Sequence, residues 1–358
     1  MKNVLVVSYY SGENTAVGSR RINALNSYLN KNGFNAHIES LKNINNYSPE
    51  VQKINSSFRN KISISNYFRT LDKTILKSSF LSIIRKHFYS KNDYNFIIAS
   101  YKPSWSIILG IILSKIYRSK LILEYRDLAS LFGRKKRIFF VHYMDIFLDK
   151  IMLSFADHLV VVSPTQKKML SSITNKDITV IYNGIDGSIN NDFKKILVNK
   201  KVNVFYGGVL SSSRMLDKII IYLERNFVDF KLRVGSKNNP SLFGGNHHKV
   251  QYLGFLNKDN LESEINNADL LIILEGNNLQ SIENIPAKTF EYLKYSKPIL
   301  LDVHLKSDIM TIINKVEMGI NIYNPCKSIF DLTPNYSNLN DFLRDNQFKK
   351  YKNLLDEN

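Results

Sequence analysis

The apolar positions of the chain fall into two successive series, each alternating short continuous runs with helical spacing. Residues 3 to 8, NVLVVS, form a run of the kind buried on both faces of a parallel sheet, and Gly12 to Gly18 form the loop leaving its carboxyl end. Ser19 is placed to cap the next helix, in which Ile22, Leu25 and Leu29 are spaced for burial and Gly33 marks the end. NAHIES, FIIAS, KLILEY, DHLVVVS and ITVIYN are further short runs, separated by helical patterns such as Pro103 to Tyr117. This alternation predicts a doubly wound α/β domain ending near Asn183.

The pattern then restarts. KVNVFYGGV at 201 to 209 predicts a new strand and a Gly-containing loop, a helix is expected from about Arg214, and FKLRVGS predicts the next strand. VQYLGF, DLLIIL, PILLD and MGINIY continue the series to about Tyr323. The expected organisation is α/β with two Rossmann-like domains, 1–185 and 186–330, around a polar connector from about Gly184 to Lys200, followed by a C-terminal segment over 331–358 with helical spacing from Leu339 to Leu355. Ligands in such sheets bind outside the carboxyl ends of the strands, so the expected site is the cleft between the two domains.

The most informative stretch is Ser281 to Leu301, SIENIPAKTFEYLKYSKPILL, which predicts loop, helix, strand. Pro286 suits the first helical position, because its fixed φ is pre-set and its missing N–H is one the helix would leave unpaired. Ala287, Phe290 and Leu293 fall on one face. Glu283 in the loop and Glu291 in the helix give Glu-x7-Glu around a helix start, where unpaired N–H groups and the macrodipole favour an anion such as phosphate. Read without that context, Lys288 and Glu291 are an ordinary surface pair worth about 0.2–0.5 kcal/mol.

With this spacing and the wording IPAKTFEYLKYSKPIL, the stretch resembles the donor-site signature of retaining glycosyltransferases of the GT-B fold, family 4. The resemblance implies two Rossmann-like domains facing across a cleft. It implies that Glu283 faces the donor sugar, that the backbone at Asn284 and Ile285 holds the diphosphate, and that Glu291 binds the ribose hydroxyls. The loop Tyr206 to Asp217, YGGVLSSSRMLD, resembles the family's loop after the first strand of the second domain. There Gly208 is followed by Val209 where an Arg is frequent, and Arg214 stands where a Lys is frequent. A guanidinium grips phosphate with two parallel hydrogen bonds, so Arg214 is the expected diphosphate ligand with Lys288 as helper. The competing reading makes Arg214 the solvated opening of a helix.

Gly235 and Ser236, and Gly254 and Phe255 within YLGFL, resemble the loops around the nucleotide base, with uracil and guanine both open. In the first domain, Gly12 and Gly18 with Ser19 and Arg20 resemble the loop approaching the donor phosphate, where glycine lets backbone come close. EYRDLASLF places Arg126 and Asp127 at the segment that in the family reads His-Asp or Arg-Asp. Asp127 then orients an acceptor hydroxyl, or Arg126 and Asp127 form a structural pair. The final helix is expected to return to the first domain, as it does in the family resembled.

Composition narrows the partners. At 358 residues the chain suits two cores, and with 44% hydrophobic and 22% charged residues it is expected to fold. Its net charge of +18 favours acidic partners: phosphorylated substrates, anionic lipid or nucleic acid. The lone Cys326 allows no internal disulfide and fits a reducing compartment. MKNVLVVSYYSGENT is expected to be a first strand rather than a signal peptide, and the longest other apolar run, Ser104 to Leu113, is about half of the roughly 20 residues a membrane span needs. A cytoplasmic chain, peripheral at the inner membrane face, is expected.

There is no Asp-x-Asp motif, and the seven histidines, His247 and His248 included, show no metal-ligand spacing, so neither metal nor cofactor is expected. Phe58 to Lys91 is basic with helical apolar spacing. It suits either a helix lying on anionic lipid or ordinary helices with a solvated basic face. Gly133 to Phe155 opens with RKKR and is apolar nearly all round, which predicts a mostly buried helix.

These readings together lead to an expected metal-independent retaining glycosyltransferase that moves a sugar from UDP or GDP to a glycan acceptor. The basic amphipathic stretches make the acceptor lipid-linked, as in bacterial surface polysaccharide synthesis, and no nucleic acid is expected as a partner. The alternatives are a sugar-nucleotide epimerase of the same architecture, a non-enzymatic basic scaffold, and a nucleic-acid-binding protein.

Overall fold

The computed structural model describes residues 1–11, 17–43, 80–101, 104–128, 139–278, 281–324 and 328–357. They divide into two compact units, Met1–Tyr182 with Phe348–Asn358, and Asn183–Gln347.

In the first unit the order is β1 (Lys2–Ser11), α1 (Val17–Lys31), β2 (Phe34–Asn43), α2 (Phe80–Phe88), β3 (Phe96–Tyr101), α3 (Ser104–Tyr117), β4 (Lys120–Tyr125), α4 (Phe139–Ser154), β5 (His158–Val161), α5 (Pro164–Leu170) and β6 (Ile178–Val180). The strands pair in parallel in the order β2-β1-β3-β4-β5-β6, so the topological switch point lies between β1 and β3. Alternation along β1 sends Leu5 and Val7 to one face and Val4 and Val6 to the other. The first face is covered by α2, α3 and α4 through Ile83, Leu109, Leu113 and Leu153. The second is covered by α1 through Ile22, Leu25 and Leu29, and by Phe348, Tyr351 and Leu355 from the end of the chain.

The second unit runs β7 (Lys201–Gly207), α6 (Asp217–Asn226), β8 (Asp229–Gly235), β9 (Val250–Gly254), α7 (Lys258–Asn267), β10 (Leu270–Gly276), α8 (Ala287–Lys294), β11 (Ile299–Val303), α9 (Asp308–Val316), β12 (Gly319–Asn321) and α10 (Tyr336–Asn340). Its parallel sheet has the order β12-β11-β10-β7-β8-β9, the strand order of dinucleotide-binding folds, with the switch point between β7 and β10. β10, LLIILEG, is buried along its whole length, as a central parallel strand must be. Asn257 and Ser307 cap α7 and α9 by accepting the N–H groups of Asn260 and Met310. A last helix, α11 (Arg344–Asp356), starts in this unit and ends in the first.

Five expectations need correction. α1 starts at Val17, so Ser19 is the third residue of the helix, fully buried, and not its cap. α6 starts at Asp217 instead of Arg214, because Ser211 and Arg214 close a tight turn by reciprocal backbone hydrogen bonds of 3.3 and 2.9 Å. Pro286 has an extended ψ of 148° and is the N-cap of α8, one place before the first helical residue. The helix expected over 339–355 is split into α10 and α11, because the backbone of Phe342 and Arg344 bonds to Ile185 at 2.7 and 2.9 Å instead of continuing the helix. Finally, α4 is not mostly buried: Asp149, Met152 and Leu153 face the core, while Tyr143, Phe147 and Ile151, spaced by four, are exposed. Gly12, the RKKR run and the part of the basic stretch before Phe80 lie outside the described residues.

Candidate functional site

The switch point of the second sheet gathers residues from three segments. Gly207 ends β7, and its N–H donates to Tyr292 Oη of α8 at 3.2 Å, while the N–H of Gly208 donates to the carbonyl of Gly235 at 2.9 Å. A Cβ on Gly208 would lie 3.2 Å from Lys288 Nζ and 3.0 Å from Tyr206 Oη. Glycine here leaves the Lys288 ammonium room beside the backbone. Lys288 is the second residue of α8, and its Nζ stands 4.6 Å from the centre of the buried Tyr206 ring. No side chain caps the helix start, and the N–H of its third residue, Thr289, donates to the carbonyl of Pro286 at 3.0 Å.

Glu275, the penultimate residue of β10, organises the group. Its Oε2 accepts from Arg214 Nη2 at 2.6 Å and from Asn284 Nδ2 at 2.8 Å. Arg214 therefore does not open a solvated helix; the Ser211–Arg214 turn holds it against β10. Gly276, with φ of 74°, makes this approach feasible, since a Cβ there would collide with the carbonyl oxygen of Ser213. Burial pushes the Lys288 ammonium down to about 8, with the Arg214 charge adding to the shift and Glu275 and Glu291 opposing it. Sequence reasoning missed Glu275. The available signal was a lone carboxylate closing an otherwise apolar run at the carboxyl end of a strand beside the switch point.

The structure brings Gly208, Arg214, Asn284 and Lys288 together around Glu275. Glu283 is buried in the loop before α8, where Ser281 Oγ donates to the carbonyl of Gly276 at 2.8 Å and Asp308 N–H donates to the carbonyl of Ile282 at 2.8 Å. Ile285 is buried and Glu291 is exposed one turn beyond Lys288. The loops after β8 and β9 are joined to each other: Ser236 N–H donates to the carbonyl of Gly254 at 2.9 Å, and Tyr252 Oη donates to the carbonyl of Ser236 at 3.1 Å. Phe255 is exposed beside them, with Lys237 Nζ 5.2 Å from its ring centre.

Arg126, Asp127 and Gly18 belong to the first unit, and the group around Glu275 belongs to the second. Gly18 lies in the first turn of α1. Arg126 and Asp127 follow β4, at the carboxyl edge of that sheet, where a second polar group is built on Glu124. The fully buried Glu124 accepts from Arg21 Nε at 2.8 Å, from Ser100 Oγ at 2.7 Å and from Tyr351 Oη at 2.6 Å. Arg21 also donates to the carbonyls of Tyr182 and Ile181 at 2.7 and 3.0 Å. Burial would raise the Glu124 carboxyl, but the Arg21 and Arg126 charges and the hydroxyl donors outweigh it and hold it at about 2. Arg126 Nε lies 3.9 Å from Glu124 Oε2 and donates to the carbonyl of Tyr101 at 3.3 Å.

No protein-family model and no curated protein sequence matches the chain. Solved structures do. The lipopolysaccharide outer core galactosyltransferase WaaB in its apo form aligns with a TM-score of 0.61 at 15% identity, covering 99% of both chains. HepE of Anabaena, in complex with UDP-glucose, aligns at 0.62 and 13% identity over 100% of both. A glycosyltransferase from Rickettsia africae aligns at 0.57 and 14%, covering 99% of this chain and 98% of the other. At this level of identity the likeness is one of fold, and with two six-stranded parallel sheets of Rossmann-like topology the chain has the GT-B fold of these glycosyltransferases.

Proposed function

We propose that the protein is a glycosyltransferase that moves a sugar from a nucleoside diphosphate sugar, carrying UDP or GDP, to a glycan acceptor. The observation that carries this reading is the gathering of Arg214, Asn284 and Lys288 around Glu275, beside Gly208 and the uncapped start of α8, at the switch point of the second sheet. That is where a doubly wound sheet binds a nucleotide, and the groups present are donors for a diphosphate. The complex of HepE with UDP-glucose supports a donor of this class.

In this reading Lys288, Arg214 and the first N–H groups of α8 meet the charge that grows on the departing phosphate. Glu283 faces the sugar, and Glu291 holds the ribose. Backbone at Gly235, Ser236, Gly254 and Phe255 surrounds the base. Transfer retains configuration by attack on the same face, with the acceptor proton passing to the leaving phosphate, while Arg126 and Asp127 serve the acceptor. Cationic side chains and N–H groups supply the positive charge, so activity in the presence of a chelator is expected. The acceptor is lipid-linked, as in bacterial surface polysaccharide synthesis, and the enzyme works from the cytoplasmic side.

The test is thermal stability with UDP, GDP, CMP, ADP and their common sugar conjugates, on the parent and on Arg214→Ala, with EDTA throughout. A ligand at 100 times its Kd adds about 2.7 kcal/mol to the native state. A shift with one nucleoside diphosphate that is lost in the variant supports the reading; no shift with any of them far above a micromolar Kd ends it.

A further inference from the structure

The exposed apolar side chains of the first unit are not scattered. Among its described residues, every large one except Met1 lies on α2, on α4, or on the residue after either helix. On α4 the stripe is Tyr143, Phe147 and Ile151, continued by Phe155, with Tyr143 and Phe147 exposed by 56 and 60%. On α2 it is Leu81 and Phe88, continued by Tyr89.

Both helices cover the same face of the sheet. α2 buries Phe80 and Ile83, and α4 buries Met152 and Leu153, in one core with Leu109 and Leu113 of α3, and α3 packs against both. Phe80 meets Trp105 of α3 edge to face at 5.6 Å. The outer sides of α2 and α4 are thus turned away from that common core. Apolar stripes exposed on two helices of one sheet face mark an interaction site.

The charge of the surroundings selects the partner. Arg85 is exposed on α2, which carries no acid, while its neighbour Lys86 is paired with Glu39 at 2.7 Å. Lys150 is exposed on α4, a helix whose acids are Asp145 and the buried Asp149. Lys115 of α3 is exposed with its Nζ 5.7 Å from the ring centre of Phe155, so a cation stands at the end of the α4 stripe. Aromatic and aliphatic side chains flanked by Lys and Arg are the composition of a surface that lies in the boundary of an anionic bilayer. No described helix is long and apolar enough to cross a membrane, which leaves interfacial contact as the way these helices would meet lipid.

We infer that the outer faces of α2 and α4 form a docking surface for an anionic phospholipid bilayer, with the two apolar stripes entering the headgroup boundary and Arg85, Lys115 and Lys150 meeting lipid phosphates. This surface rests on the reading of a lipid-linked acceptor given above, for which it would hold the first unit against the substrate's membrane. It makes no use of the donor site.

The experiment is co-sedimentation of the full chain with vesicles of phosphatidylcholine alone and of an equal mixture of phosphatidylcholine and phosphatidylglycerol. Three proteins are compared: the parent, Tyr143→Ser with Phe147→Ser, and Arg85→Glu with Lys150→Glu. Unfolding temperature and nucleoside diphosphate affinity without lipid are measured in parallel, which separates loss of this surface from loss of fold or of the donor site. The parent is expected to bind the anionic vesicles at least tenfold more tightly than the neutral ones. Each double variant is expected to lose about tenfold or more while nucleotide affinity is unchanged. Absence of binding by the parent, or equal binding by folded variants, overturns the inference. So does a parent dimer in light scattering that the serine variant turns into a monomer without any vesicle binding, since the face would then join two copies of the chain.

Discussion

Tyr351 Oη donates a 2.6 Å hydrogen bond to Glu124 Oε1 across 227 positions of the chain, inside the core of the first unit. Glu124 is also the partner of Arg21, and both are almost wholly buried. The bond therefore fastens the end of the chain to a charge pair that needs every donor it has. Removing the hydroxyl in Tyr351→Phe should cost about 1.5–3 kcal/mol, the range for a hydrogen bond to a charged group. Glu124→Gln leaves the Arg21 guanidinium buried without its counter-charge and should cost about 3–5 kcal/mol. Urea denaturation of both variants and of the double variant would show coupling above about 0.5 kcal/mol. Additive losses would mean that the two side chains act separately.

The same carboxylate sets an acid limit on stability. Glu124 titrates at about 2 in the folded chain and near 4.3 when unfolded, so the unfolded state binds its proton first as pH falls. Its contribution is fully present above about pH 4.3 and is lost progressively toward pH 2, amounting to roughly 3 kcal/mol. Stability of the parent between pH 6 and pH 3 should fall more steeply than that of Glu124→Gln. Parallel curves would remove Glu124 from the explanation of acid sensitivity.

Arg214 and Glu275 should behave as one device in nucleotide binding. Arg214→Ala removes a charge from the proposed diphosphate site and should weaken nucleoside diphosphate binding about 10- to 100-fold, or roughly 1.4–2.8 kcal/mol. Glu275→Ala leaves the cation in place but releases both Arg214 and Asn284, and should weaken binding by a smaller factor of about 3 to 10. Because Glu275 acts mainly through its charged partner Arg214, with Asn284 the remaining partner in the Arg214→Ala background, the double variant should bind worse than Arg214→Ala by less than the Glu275→Ala factor. Titration calorimetry decides this, and losses that simply add would show that Glu275 has a separate role.

Much of this architecture was legible from periodicity. Continuous runs such as NVLVVS and DLLIIL are what a strand buried on both faces requires, and Ile22, Leu25 and Leu29 are all in the core. What escaped was decided by contacts distant in sequence. Arg214 is kept out of a helix by a turn that packs on Gly276. The C-terminal helix is broken because the backbone around Leu343 pairs with Ile185. Periodicity also could not say which face of α4 meets the core, since apolar residues lie on both, and Phe147 is outside while Leu153 is inside. Of the residues gathered around Glu275, Asn284 and Lys288 were visible through their setting at a helix start. Glu275 was hidden because its role depends on two partners, 61 and 9 positions away.

Lys288 gives the proposed donor site a pH dependence whose sign can be worked out. Burial lowers its ammonium to about 8 in the chain as it stands, against the usual lysine value near 10.4. A phosphate dianion placed beside it would favour the charged form and raise that value, since an opposite charge within a few ångström does so. Below about pH 8 the ammonium is already charged, and affinity for a nucleoside diphosphate should be nearly independent of pH. Above about pH 8 each binding event must bring a proton with it, so affinity should fall by up to about tenfold per pH unit until the value of the complex is reached. Calorimetry at pH 8.5 in buffers of different ionisation enthalpy should register uptake of a fraction of a proton per nucleotide. Lys288→Arg keeps a charge that does not titrate in this range, so it should flatten the profile even if its fork fits the site less well. A parent profile that stays flat from pH 7 to pH 9.5, or one unchanged in Lys288→Arg, would place the ammonium outside the phosphate site and leave Arg214 as its cation.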